Sequence, residues 1–131
     1  MASETPGQTP PRTVPPCLDE STLKQLIDLD DGQVGLLIEL FGLFKEDTPH
    51  RLTGLRASMA EGDAVTTAEL AHALKGAAGT IGAKQMRDLA QNIEKAGKAG
   101  RVDAETERWL TELEAAYDIA CAALDAFGAQ G

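Results

Sequence analysis

Cysteine, aromatic residues, positive charge and long apolar runs are all scarce in this 131-residue chain, and each shortage removes a class of protein. The two cysteines, Cys17 and Cys121, form no disulfide framework, and with the two histidines, His50 and His72, they lack the spacing of a zinc site. A reduced, cytoplasmic chain is therefore expected. The few aromatics and methionines fall at helical spacing and read as core rather than as a cofactor box. No apolar run approaches the ~20 residues of a membrane span; Glu39 and Lys45 interrupt the longest one. The N-terminus lacks the basic-then-apolar pattern of a secretion signal. Twelve Lys and Arg face 21 Asp and Glu, and the net charge of −9 disfavours nucleic acid and anionic membrane as partners.

Proline is nearly absent after residue 16. Five of the six prolines lie before that point, in MASETPGQTPPRTVPP. Such a stretch has few backbone donors and little side chain to bury, so residues 1–16 are expected to be a disordered tail or semi-extended linker. The remainder, 17–131, is long enough for one domain with its own core.

From residue 17 onward the pattern is helical, with neither strand alternation nor a hairpin dipeptide. Asp19 is placed to cap a short helix carrying Leu23, Leu26 and Ile27. A long helix is expected over about 33–60. Its stripe is Val34, Leu37, Ile38, Phe41, Phe44, Leu52, Leu55 and Met59, and Pro49 should kink it or remove one bond of its ladder. After Gly62 and Asp63 a third helix is expected over about 64–80, and a fourth over about 83–96, ended by the Gly97–Gly100 stretch. Asp103 should cap the last helix, whose stripe runs through Leu110, Leu113, Tyr117, Ala120, Cys121, Leu124 and Phe127. Short connections make neighbours antiparallel. The expected fold is all-α: an antiparallel up-down-up-down four-helix bundle with a short additional N-terminal helix.

One helix departs from this economy. With about 100° per residue and His72 at zero, Leu70, Leu74, Ala77, Ala78 and Ile81 fall opposite it, while Lys75, Gly76 and Gly79 fall within about 60° of it. His72 is therefore expected on the solvent side. Glycine inside a helix costs about 0.5–1 kcal/mol relative to alanine. Two on the exposed face have no packing explanation, but they leave bare backbone over which a second protein can approach the imidazole. A neutral imidazole is a nucleophile, and Lys75 one turn on supplies a cation for an anion attached to it. Attack on a phosphoryl group fits this set. Transfer of that kind usually uses a divalent metal, and no carboxylate cluster here obviously holds one, so the metal should come from the partner.

Charge distribution agrees. Residues 69–101 carry six basic and three acidic side chains, a local +3, which leaves −12 for the rest of the chain. Such an island suits an acidic partner site. His50, next to Pro49, reads as an ordinary surface histidine, and Gly76, Gly79 and Gly82 do not form a phosphate loop, because no strand precedes them.

The run His72-Ala73-Leu74-Lys75-Gly76-Ala77-Ala78-Gly79-Thr80-Ile81-Gly82 resembles the signature of the histidine-containing phosphotransfer (HPt) domain family. The helix order from about 18 to 127 resembles it too. The resemblance implies a phosphorelay intermediate, without kinase activity of its own, that takes a phosphoryl group from one receiver aspartate and passes it to another. It implies His72 as the phosphorylated residue, Lys75 as the group that steadies the phosphoryl, and Gly76, Gly79, Glu94 and Lys98 as residues of the docking region. Some members hold the other imidazole nitrogen with a glutamine on the next helix; the matching position here is Glu94, a departure whose carboxylate could orient the ring or tune its pKa without taking over the glutamine's role. No cofactor is expected in the chain, with Mg2+ in the partner receiver. The partners implied are receiver domains of response regulators and of hybrid histidine kinases, met by a monomer. Two other readings stand beside this one: a helical interaction module in which His72 does no chemistry, and the phosphate-accepting domain of a histidine kinase lacking its ATP-binding part.

Overall fold

The computed structural model describes residues 14–129 as five helices: α1 (Glu20–Leu29), α2 (Gly35–Ala60), α3 (Ala64–Ile81), α4 (Lys84–Lys98) and α5 (Ala104–Ala129). The expected caps form. Asp19 Oδ1 accepts from the Ser21 and Thr22 amides, Asp63 Oδ1 from Thr66 N at 3.0 Å, and Asp103 Oδ1 from Thr106 N at 3.1 Å. Each satisfies an amide that the first turn leaves without an intrahelical partner. α2 has no side-chain cap of its own; instead Asp30 Oδ2 reaches forward to the Leu36 amide at 3.0 Å.

Pairs across the helices fix their directions. Ser58 meets Thr67 and Gly54 meets Leu70, so α2 and α3 run antiparallel. His72 meets Glu94 and Gly79 faces Arg87, so α3 and α4 do likewise. Arg56 pairs with Glu114 and Lys45 with Asp125, which makes α2 and α5 antiparallel. α2 lies against α3, α3 against α4, α4 against α5 and α5 against α2, while the backbones of the two diagonal pairs stay apart. This is a four-helix bundle. α1 is the additional short helix and packs on α2 and α3 alone.

Lengths differ within the ring. α2 and α5 have 26 residues each and α4 has 15, or about 40 Å against about 22 Å. The N-terminal part of α2 and the C-terminal part of α5 therefore project beyond the others. One residue departs from expectation: Ile38, counted in the α2 stripe, is 50% exposed with Gly128 of α5 beside it, while Leu37, one step round the helix, is 2% exposed. Most of the predicted stripes are core: Leu37, Phe41, Phe44, Leu52, Leu55 and Met59 of α2 join Leu74, Ala78, Ile81, Leu89, Ile93, Leu110, Leu113 and Phe127 in one cluster, while Val34, at the N-cap of α2, and Tyr117 and Cys121 of α5 are only half-buried.

The expected tail, 1–16, lies largely outside the described residues. Within them, Val14 and Cys17 pack against the core, and Cys17 is half-buried. Leu18 pairs with Ala83, and Asp19 N donates to Gly82 O at 2.7 Å, which ties the start of the domain to the α3–α4 turn. That turn favours glycine, because Gly82 ends α3 in the left-handed region at φ 80°.

α2 runs through Pro49 without ending. Proline has no N–H, so the Lys45 carbonyl lacks its usual donor four residues on. The Tyr117 hydroxyl donates to that carbonyl at 3.3 Å, from α5.

Candidate functional site: an exposed imidazole on a buried carboxylate

His72 sits midway along α3 with 68% of its side chain exposed. Ala71 and Leu74 on either side of it are fully buried, so the helix is anchored by its opposite face, as the wheel requires. Gly76, one turn on, is exposed, and a β-carbon built there would meet nothing within 4 Å. Gly79 is half-buried, with the Arg87 stem lying 3.8 Å from where a β-carbon would be. The backbone is thus bare at Gly76 and thinly covered at Gly79.

Beneath the ring lies Glu94 of α4, whose side chain is only 4% exposed. Its two oxygens are shared unequally. Oε1 takes Lys75 Nζ at 2.6 Å; Oε2 takes His72 Nδ1 at 2.8 Å and Lys98 Nζ at 3.1 Å. The Lys75 hydrogen bond, helped by those from Lys98 and His72 and opposed by burial, pulls the Glu94 carboxyl down to about 2. At neutral pH it is an anion and can only accept. The atom facing it on the ring must therefore be a donor, which puts the proton on Nδ1 and leaves the lone pair of the neutral imidazole on Nε2.

Sequence reasoning grouped Glu94 with the docking residues. Its burial favours the other role open to it, orienting the ring: the carboxylate has almost no surface to offer a partner and is held by three groups of its own chain. Lys75 was expected to point toward an anion on His72. In the unphosphorylated protein it is instead bound to Glu94. Lys98 is well exposed and belongs to the same cluster. Its place depends on α4 continuing through Gly97 to Lys98, rather than stopping at the glycine stretch as expected.

Gly97 itself was missed as a site residue. A β-carbon there would lie 2.9 Å from the Ala64 carbonyl oxygen and 3.0 Å from Ala68, so this glycine sets how closely α4 approaches α3. The only sequence signal was the pair of alanines one helical turn apart that it meets, Ala64 and Ala68. The same contact floors a cleft of about 500 Å³ beside the ring, bordered by Val65, Glu69 and Lys98.

The family model for the Hpt domain matches residues 39–124, which include every site residue just described. The chain belongs to the Hpt family. Among curated proteins no sequence matches it. Among solved structures it is similar to histidine-containing phosphotransfer protein B (HptB) from Pseudomonas aeruginosa PAO1, with a TM-score of 0.78, 22% identity, and 88% of this chain and 97% of that one covered. It is also similar to the histidine-containing phosphotransfer domain of ArcB from Escherichia coli, with a TM-score of 0.75, 24% identity, and coverage of 87% and 94%. These two likenesses are of fold. Hpt membership makes the chain a histidine phosphotransfer intermediate of two-component phosphorelays, a carrier rather than a kinase, in a family that works with receiver domains and histidine kinases.

Proposed function

We propose that His72 is the phosphoryl acceptor and that Nε2 is the reacting atom. The observation that carries this reading is the 2.8 Å bond from Nδ1 to an ionised, buried Glu94 under a ring that is otherwise exposed. The Nε2 lone pair attacks phosphorus of an aspartyl phosphate on a receiver. The N–P bond forms, the P–O bond to the aspartyl carboxylate breaks, and that carboxylate leaves with the electron pair. No proton has to leave the ring: Nδ1 keeps its hydrogen, and the ring becomes a phosphoimidazolium cation beside the Glu94 anion. Run backward onto a second receiver, the same step returns a neutral imidazole. Glu94 thus stabilises charge where it develops.

The transfer depends on positioning and charge more than on covalent catalysis, and the divalent cation it uses is assigned to the partner receiver. Gly76 and the thin cover at Gly79 would let the receiver's loops approach Nε2. The basic side chains of 69–101 would face the acidic rim of that site. The chain is read as acting as a monomer in the cytoplasm, presenting one His face to successive partners.

The test is incubation of the chain with a receiver domain phosphorylated by acetyl phosphate. Acid-labile, alkali-stable phosphate on His72 is expected, with none on a folded His72→Gln variant. Label that persists in His72→Gln overturns the assignment. Label obtained only from a kinase core with ATP, never from a receiver, favours the domain of a histidine kinase instead.

A further inference from the structure

Two lysines share one carboxylate beneath the ring, and they do not share it equally. We infer that Lys98, not Lys75, is the cation that moves onto the phosphoryl group, while Lys75 remains on Glu94 and holds the ring in place. This rests on His72 being the acceptor.

The case is made by the two oxygens of Glu94. Oε1 has a single cationic partner, Lys75 at 2.6 Å. Were Lys75 to leave, that oxygen, on a side chain 4% exposed, would lose its charge partner, and leaving a buried charge short of partners is costly. Oε2 has two partners, His72 Nδ1 at 2.8 Å and Lys98 at 3.1 Å. Were Lys98 to leave, Oε2 would still hold the ring. Exposure points the same way: the Lys98 side chain is 68% exposed and that of Lys75 32%, so Lys98 has room to swing and Lys75 is the more enclosed of the two.

Phosphorylation then changes both ends of the balance at once. Before transfer, Nδ1–H of a neutral ring shares Oε2 with an ammonium. After transfer the ring is a cation, its hold on Oε2 strengthens, and Lys98 becomes redundant there. At the same moment a phosphoryl dianion stands on the exposed side of the ring. Lys98 and the imidazole are bound to the same oxygen, so they are next neighbours, and the move asks only for rotation of a flexible four-carbon stem. The Glu94–Lys98 pair, four residues apart on α4, is thus a parking position for a cation used later.

The experiment follows the lysine ammonium signals of the full chain by 15N NMR before and after phosphorylation by phosphoramidate or by a phosphorylated receiver. The Lys98 signal is expected to shift and the Lys75 signal to stay. Lys98→Ala should slow transfer from the receiver about tenfold, the loss of one charge-assisted hydrogen bond in the transition state. Lys98→Arg should restore most of the rate. In the unphosphorylated protein Lys98→Ala should leave the Nδ1–H tautomer of His72 intact, whereas Lys75→Ala should raise the Nε2–H fraction. A Lys75 signal that shifts while Lys98 stays, or a Lys98→Ala variant that transfers at the parent rate, overturns the assignment. Failure of the parent protein to take label on His72 overturns the acceptor reading instead, and the two failures are told apart by that label alone.

Discussion

Gly97 of α4 lies so close to α3 that a β-carbon on it would stand 2.9 Å from the carbonyl oxygen of Ala64. The obstacle is backbone and cannot rotate aside, so the helices themselves would have to part. Gly97→Ala should gain about 0.5–1 kcal/mol of helix propensity and lose more than that, about 1–3 kcal/mol, to overpacking. Because the same contact sets the height of Glu94 under His72, the variant should also lengthen the Nδ1 bond. A denaturant melt shifted to lower midpoint together with slower transfer is the expected result. Unchanged stability would show that α4 can slide without cost.

Gly76 presents the opposite case. Nothing lies within 4 Å of its missing β-carbon, so substitution meets no neighbour in the free protein. Gly76→Ala should stabilise the chain by about 0.5–1 kcal/mol. Gly76→Leu should fold equally well yet reduce transfer from a receiver at least about tenfold, because bulk would stand where the partner's backbone must come. Thermal melts and transfer kinetics on the same samples separate the two effects. A Leu variant that melts higher and transfers normally would remove Gly76 from the docking surface.

The contrast between these two glycines shows where sequence reading succeeds and where it stops. His72, Lys75 and Gly76 lie three or four positions apart on one helix, so a wheel of about 100° steps is enough to bring them to one face. The helices themselves follow from apolar period and from three Asp caps, all local features. Glu94 is 22 positions from His72. Its match to the family position marked it, but its burial, and so its role under the ring rather than at the surface, depends on how α3 and α4 are packed. Gly97 read as a helix stop because glycine clusters usually are; only the closeness of Ala64 shows that it is a spacer. Ile38 kept the period of its helix and still came out half exposed beside a buried Leu37, because period does not say how wide a face the neighbouring helices cover.

The Tyr117 hydroxyl and the Lys45 carbonyl, 72 positions apart, form another pairing that no local pattern contains. Pro49 frees that carbonyl and Tyr117 takes it. Tyr117→Phe should therefore cost about 0.5–1.5 kcal/mol, the net worth of one hydrogen bond. In a Pro49→Ala background the alanine amide can take the carbonyl, and the same Tyr117→Phe change should cost less. A double-mutant cycle in urea measures the coupling. Additive effects would mean that the hydroxyl and the proline are unrelated.

The buried Glu94 carboxylate gives stability a pH dependence whose sign is fixed. Its folded value, about 2, lies below its ordinary value of 4.5, chiefly because Lys75 donates to it. A carboxyl that binds protons less readily when folded stabilises the protein above its unfolded value and loses that contribution as pH falls through the folded one. Glu94 should accordingly contribute fully above about pH 4.5 and progressively less down to about pH 2. Glu94→Gln removes the titration while keeping an oxygen that can accept from Nδ1. It should lower stability at neutral pH, where Lys75 loses its anion, and its stability should fall less steeply across that acid window than the parent's. Chemical denaturation at a series of acid pH values is the measurement. Other carboxylates titrate in both proteins and cancel in the difference, so parallel curves for parent and variant would mean that the His72–Lys75–Lys98 cluster does not hold Glu94 as an anion.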